Sequence, residues 1–191
     1  MAMNDERKMK TFIDENCIYP DFPQKGIQFI DIFPLLAQCF PADFQSAFPP
    51  TDKIVFTPEA RGFLFYQALS PQWVIPLRKA GKLPGELMEI RYEKEYGSDS
   101  LFFQLDALRR AVHRSMEKGK EVTEVEVMIF DDVLATGGTV QAVADCLENL
   151  CIGGLPRLKV TESRFYLEIE SLGGRKRLED RGLSVQSVHL Y

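Results

Sequence analysis

The chain has 191 residues, 45% of them hydrophobic, which is enough for one sizeable core within a single domain spanning 1–191. Its formal net charge of −5 leaves no basic excess to neutralise a run of backbone phosphates, so nucleic acid is not an expected partner. The four cysteines form no C-x-x-C pair and lie far from His113 and His189, which argues against zinc, and no stretch approaches the roughly 18 apolar residues of a membrane span. The charged start "MAMNDERKMKTF" lacks an apolar signal region, so a cytoplasmic protein with reduced thiols and no membrane partner is expected.

In chain order, "KIVFTP" (53 to 58) and "WVIPLR" (73 to 78) have the apolar, β-branched character of strands. The polar stretch "EKEYGSDS" (93 to 100) has Gly97 in its middle and no usable period, which predicts an exposed loop. "DALRRAVHRSMEKGKE" (106 to 121) places Leu108 and Val112 at i, i+4 among charges, the pattern of an exposed helix. "VEVMIF" (125 to 130) predicts another strand. From Thr139 onward, Val140, Val143, Ala144, Leu147, Leu150 and Cys151 mark one buried helical face, and Gly153 and Gly154 stop it. "LKVTESRFYLEI" (158 to 169) completes the set as a strand. Strand, loop and helix in this alternation predict an α/β fold with a parallel sheet.

The chemistry concentrates in "VMIFDDVLATGGTV", residues 127 to 140. Ala135, Thr136, Gly137, Gly138 and Thr139 carry small side chains, so backbone N–H groups at the start of the next helix can close on an anion. Asp131 and Asp132 would repel that anion and must address another part of the ligand; ribose hydroxyls, as donors, fit. Neither G-x-x-x-x-G-K-[ST] nor G-x-G-x-x-G occurs, which excludes a Walker loop and a dinucleotide fingerprint.

The stretch resembles the ribose-5-phosphate signature of the type I phosphoribosyltransferases. "YPDFPQKGIQFIDIFPLL" (19 to 36), "EARGFLF" (59 to 65), "PLRKAGKLPGE" (76 to 86), "EYGSDSL" (95 to 101) and "LGGRKRLE" (172 to 179) are similar, in the same order, to segments of the adenine phosphoribosyltransferases. The resemblance implies a parallel-sheet core flanked by helices, a small N-terminal hood within 1–34 that binds the base, and a flexible active-site loop. It implies transfer of the 5-phosphoribosyl group from phosphoribosyl pyrophosphate (PRPP) to adenine, giving AMP and pyrophosphate in purine salvage. Two alternatives are a related enzyme acting on xanthine or hypoxanthine, and a non-catalytic regulator that senses PRPP.

Residue by residue, the resemblance assigns Ala135, Thr136, Gly137, Gly138 and Thr139 to the 5-phosphate, and Asp131 and Asp132 to the ribose and the cationic character at its anomeric carbon. Glu59, Ala60 and Arg61, in a turn with a cis non-proline peptide, go to pyrophosphate, as do Arg78 and Lys82; a guanidinium grips such an anion through paired N–H groups. Gln28, Phe29 and Ile30 go to the base, which stacks on Phe29. Glu95, in the closing loop, exchanges a proton with the purine. Magnesium held mainly by PRPP, pyrophosphate and water, and a homodimer, are implied in the same way. Ile30 stands where the family usually has arginine, and Gln28 where it has an apolar residue. Two departures in length lie outside the motifs: a shortened, proline-broken stretch between Leu36 and Lys53, and an inserted helix between Asp106 and Val125.

Overall fold

The computed structural model describes residues 2–22, 24–69, 71, 73–94, 97–116 and 122–191. The chain begins with helix α1 (Ala2–Asn16), strands β1 (Ile18–Pro20) and β2 (Gln28–Ile30), and short helices α2 (Phe33–Cys39) and α3 (Ala42–Ala47). Strand β3 (Ile54–Pro58), a 3-10 helix (Arg61–Phe65), α4 (Tyr66–Leu69) and β4 (Trp73–Leu77) follow. Next come β5 (Leu87–Lys94), β6 (Gly97–Gln104), α5 (Leu105–Ser115), β7 (Glu124–Leu134) and α6 (Gly138–Glu148). The chain ends with β8 (Arg157–Glu168), a 3-10 turn (Glu170–Leu172), α7 (Gly174–Asp180) and β9 (Ser184–Leu190).

Five strands form a parallel sheet in the order β4-β3-β7-β8-β9. Successive side chains of a strand point to opposite faces. Accordingly Ile54, Phe56, Val127 and Ile129 enter one core with α5 and α6, whereas Val55, Met128 and Phe130 enter a second with α2 and α3. Val127 to Phe130 are all buried, as befits a central parallel strand covered on both sides. The second core is aromatic: Phe44, Phe65, Phe130 and Tyr166 pack with ring centroids 5.0 to 6.5 Å apart. Strands β1 and β2 form a separate antiparallel ribbon within the N-terminal segment in which a hood is expected.

The strand expectations hold to within a residue or two, except that β7 runs on to Leu134 and so carries both aspartates on its carboxyl end. Three expectations change. The polar stretch at 93–100 is not a loop throughout: its described part belongs to a hairpin in which Tyr92 faces Asp99 and Ile90 faces Leu101. Helix α6 stops at Glu148 rather than Cys151, because Leu150 and Ile152 reach the same core from a following turn. Helix α5 is exposed on one side only, with Leu105, Leu108, Ala111 and Val112 buried. The shortened stretch after Leu36 is broken as its prolines require, with α2 and α3 meeting at Pro41. Among the described residues no helix is long and apolar enough to cross a membrane.

Candidate active site

The chain passes from β3 outward to β4 and later returns to β7 on the other side of β3. In an open parallel sheet such a reversal leaves a crevice beyond the carboxyl ends of the strands, where ligands bind. Two adjoining cavities of about 470 and 760 Å³ lie there, sharing Gln28 and Ile30 from the hood and Ala135 and Thr139 from the loop after β7.

That loop is shaped by one residue in particular. Gly137 caps α6 with φ +76°, a left-handed conformation that glycine adopts without steric cost. No side chain caps the helix, so the N–H groups of its first turn are left for a ligand, with the positive end of the helix dipole behind them. Thr136, Gly138 and Thr139 line the larger cavity beside these donors.

The aspartates border the smaller cavity. Asp131 Oδ1 accepts the backbone N–H of Asp132 at 2.9 Å. Burial, reinforced by the neighbouring charge of Asp132, pushes the Asp131 carboxyl well above the usual carboxylate range, against the opposing pull of Arg61. Arg61 Nε lies 2.6 Å from Asp132 Oδ2, yet that buried oxygen accepts no aligned hydrogen bond. Opposite charges are thus brought together without the directional bond that would satisfy them. The Arg61 guanidinium also covers the Phe29 ring at 5.3 Å, and Phe22 meets Phe29 edge-on at 5.1 Å. Arg61 therefore links the hood to the acids.

The turn after β3 contains a cis peptide between Glu59 and Ala60. Burial alone would raise the Glu59 carboxyl, but hydrogen bonds from Arg78 and from the Lys79 backbone, with both positive charges, hold it below its ordinary value. Arg78 Nε donates to Glu59, and its guanidinium lies 5.7 Å from the Phe63 ring centre. The backbone of Arg78 pairs with Phe102, tying the β5–β6 hairpin to the end of β4.

Most residues singled out from the sequence converge here. Gln28, Phe29, Glu59, Ala60 and Arg61 line the smaller cavity with both aspartates. Ile30 is 5% exposed and turns into the aromatic core beneath, so its departure from the usual arginine is accommodated as packing. Lys82 lines neither cavity, whereas Lys79 lines the smaller one. Glu95 lies outside the described residues.

No protein-family model matches the chain. The adenine phosphoribosyltransferase of Mesomycoplasma hyopneumoniae strain 7448 is 41% identical over 187 residues, covering 94% of each chain. The chain belongs to the adenine phosphoribosyltransferase family. A Vibrio cholerae member is 36% identical over 178 residues, covering 88% of both chains. The crystal structure of the family member from Thermoanaerobacter pseudethanolicus superposes with a TM-score of 0.70 at 34% identity, over 97% of this chain and 99% of that one. The Saccharomyces cerevisiae member, solved with an imino-altritol bisphosphate and adenine, gives 0.65 at 30% identity, with the same coverage.

The family's crevice has walls in this chain that pattern reading did not single out. Ile169 and Leu172, just beyond β8, line both cavities, as does Tyr92 from the hairpin. Their position at the carboxyl end of a strand adjoining β7 was the available signal, but it needs the strand order to be known. Arg177 lines the larger cavity from α7, a helix that no apolar period announced.

Proposed function

We propose that the protein transfers the 5-phosphoribosyl group of PRPP to N9 of adenine, forming AMP and releasing pyrophosphate, in purine salvage. The observation that carries this reading is one crevice bordered by an uncapped helix start, two adjacent aspartates, of which Asp132 has a buried oxygen without a hydrogen bond, and the Phe29 ring. A bond forms between N9 and the anomeric carbon, the bond from that carbon to pyrophosphate oxygen breaks, and the N9 proton leaves.

In this reading the backbone and hydroxyl donors of Ala135, Thr136, Gly137, Gly138 and Thr139 hold the 5-phosphate. Asp131 and Asp132 accept ribose hydroxyls and favour positive charge on the anomeric carbon as the leaving group departs. Pyrophosphate draws Arg61 away from Asp132 and off the Phe29 face, and Glu59, Ala60, Arg78 and Lys82 complete its grip. Adenine stacks on Phe29 and bonds to the backbone around Gln28 and Ile30, and Glu95 accepts the N9 proton as N9 attacks and passes it to solvent or the departing pyrophosphate.

Magnesium neutralises pyrophosphate charge when bound. Among the described residues no three His, Cys, Asp or Glu side chains are grouped around a metal-sized space. The ion would be held mainly by the substrate and water, and any protein contact would come from Asp132, whose buried Oδ2 lacks a hydrogen bond, and from Asp131, whose ionisation a nearby cation would favour. A homodimer and a cytoplasmic location complete the reading. Exposed Leu64 and Tyr66, beside an open apolar depression of about 500 Å³ lined by Phe63 and Trp73, are in keeping with the first. Four unbridged cysteines are in keeping with the second.

Incubating the purified protein with PRPP, magnesium and each of adenine, hypoxanthine, xanthine and guanine, with nucleotide and pyrophosphate measured together, tests the proposal. AMP and pyrophosphate in equal amounts from adenine alone are expected. Product from an oxopurine instead would move the acceptor, with Gln28 as the residue to examine. Tight PRPP binding without product would make the protein a sensor.

A further inference from the structure

Helix α7 is seated unusually close to the loop assigned to the 5-phosphate. A Cβ added to Gly174 would lie 2.1 Å from the Ala135 carbonyl oxygen and 2.8 Å from Leu134 Cδ1, so only glycine permits this approach. One turn later Leu178 closes the contact, lying 3.3 Å from where a Cβ on Gly137 would stand. Positions 174, 177 and 178 share one side of a helix. Docking through Gly174 and Leu178 therefore directs Arg177 at the loop: its Nη1 is 3.4 Å from the Cβ position of Gly138. Thr136, Gly138, Thr139 and Arg177 line the same cavity.

The charges around Arg177 are otherwise accounted for. Arg175 pairs with Glu168 and Glu179, Lys176 with Asp180, and Arg181 with Asp145 and Glu148. The Arg177 guanidinium has no ion-pair or hydrogen-bond partner among the described residues. A phosphate monoester carries close to two negative charges at neutral pH, and the loop offers it only neutral donors. A fork of N–H donors held above that loop, in a chain of net charge −5, is suited to such an anion.

We infer that Arg177 binds the 5-phosphate of the phosphoribosyl donor and of the nucleotide product, adding a cation to the neutral cradle. This rests on the proposed function, since it names a further group in the same subsite. The two anions of the donor then meet different cations. Arg177 serves the phosphate at the ribose 5-position, whereas Arg61, Arg78 and Lys82 serve the pyrophosphate.

Binding of ribose 5-phosphate, ribose and pyrophosphate to wild type, Arg177→Gln and Arg177→Lys, with PRPP kinetics on each, provides the test. Arg177→Gln is expected to weaken ribose 5-phosphate about tenfold, the scale of one solvent-accessible charge-assisted contact. Pyrophosphate affinity should stay constant, the KM for PRPP should rise by more than kcat falls, and Arg177→Lys should recover most of the loss. Added salt should narrow the gap between wild type and Arg177→Gln. Equal ribose 5-phosphate affinity in wild type and Arg177→Gln, with wild type producing AMP, overturns the inference and leaves the function standing. Equal losses for both anions also overturn it, because they mark a helix that anchors the fold rather than a ligand contact. A wild-type protein that binds no ribose 5-phosphate and makes no AMP overturns the function and the inference together.

Discussion

Asp43, on α3, and Asp131, on β7, are both half-buried acids, yet the protein treats them in opposite ways. Asp43 Oδ1 accepts the Phe44 N–H at 2.7 Å, and its Oδ2 accepts the Tyr166 hydroxyl at 2.7 Å and lies 2.6 Å from His189 Nε2. Burial there would raise the carboxyl, but the bonds from His189, Tyr166 and the backbone outweigh it and hold it below its ordinary value. Asp131 has one backbone donor and an acid for a neighbour, and it is pushed up. A carboxylate whose bonds are completed by its own chain stabilises the fold, and one left incomplete beside a cavity costs stability until a ligand arrives. The first is a fastening between α3 and strands β8 and β9; the second is a binding site held ready.

The contrast breaks most visibly at Asp132. Replacing it with asparagine keeps the shape and removes the charge that favours the cationic anomeric carbon. A fall in kcat of about 10²- to 10³-fold is expected, on the scale of losing one well-placed electrostatic group. The melting temperature should fall less steeply than turnover, because Asp132 Oδ2 makes no aligned bond within the fold and its one ion-pair partner, Arg61, keeps access to solvent and its contact with Phe29. Turnover near wild type would remove this carboxylate from the mechanism. A large drop in melting temperature would show that it fastens the fold after all.

Asp43→Asn probes the other side. An amide cannot serve all three partners of this carboxylate, and losing a charged acceptor in a largely buried network costs about 1–3 kcal/mol. Stability at neutral pH should fall by that amount, with kcat per folded molecule unchanged. The pH dependence has a definite sign. Because the folded value of Asp43 lies below its unfolded one, its contribution is fully present above the unfolded pKa and is lost as pH falls through the folded value. Denaturant melts of wild type and Asp43→Asn should therefore converge in acid and separate toward neutrality. A constant separation across that range would assign the loss to packing instead of charge.

Local sequence carries the acid pair and the phosphate loop, because both are written in consecutive residues: an apolar strand, two aspartates, then five small residues before a helical period. The Asp43, Tyr166 and His189 fastening was not legible, since its members are 123 and 146 residues apart and each alone has the look of an ordinary polar residue. The same reason hid β9, whose sequence "SVQSVHL" acquires a role only when laid beside β8. Helix α1 was missed for another cause: Ile13 is buried, but the charged start dilutes any apolar period. The resemblance to known enzymes supplied what spacing did not, the convergence of Glu59, Arg61 and Phe29 on one crevice. It did not supply the present partners of Arg61, which occupies Asp132 and Phe29 at once.

The last expected effect is the most discriminating, because it reverses the usual direction. Asp131→Asn should make the unliganded protein more stable at neutral and mildly alkaline pH. The folded pKa of Asp131 lies above its unfolded one, so the ionised side chain is disfavoured in the fold. Relative to a neutral side chain, the wild type is fully stable below the unfolded pKa and loses stability as pH rises through the folded value. Asparagine is neutral throughout and its carbonyl still accepts the Asp132 N–H, so the variant escapes that loss. Thermal melts of the two proteins should coincide near pH 4 and diverge above it, with the variant melting higher. Saturating AMP should reverse the order, since the wild type recovers its cost in the bond to the ribose and the variant has none to recover. If the wild type melts higher at every pH without ligand, Asp131 is satisfied within the fold, and its difference from Asp43 disappears.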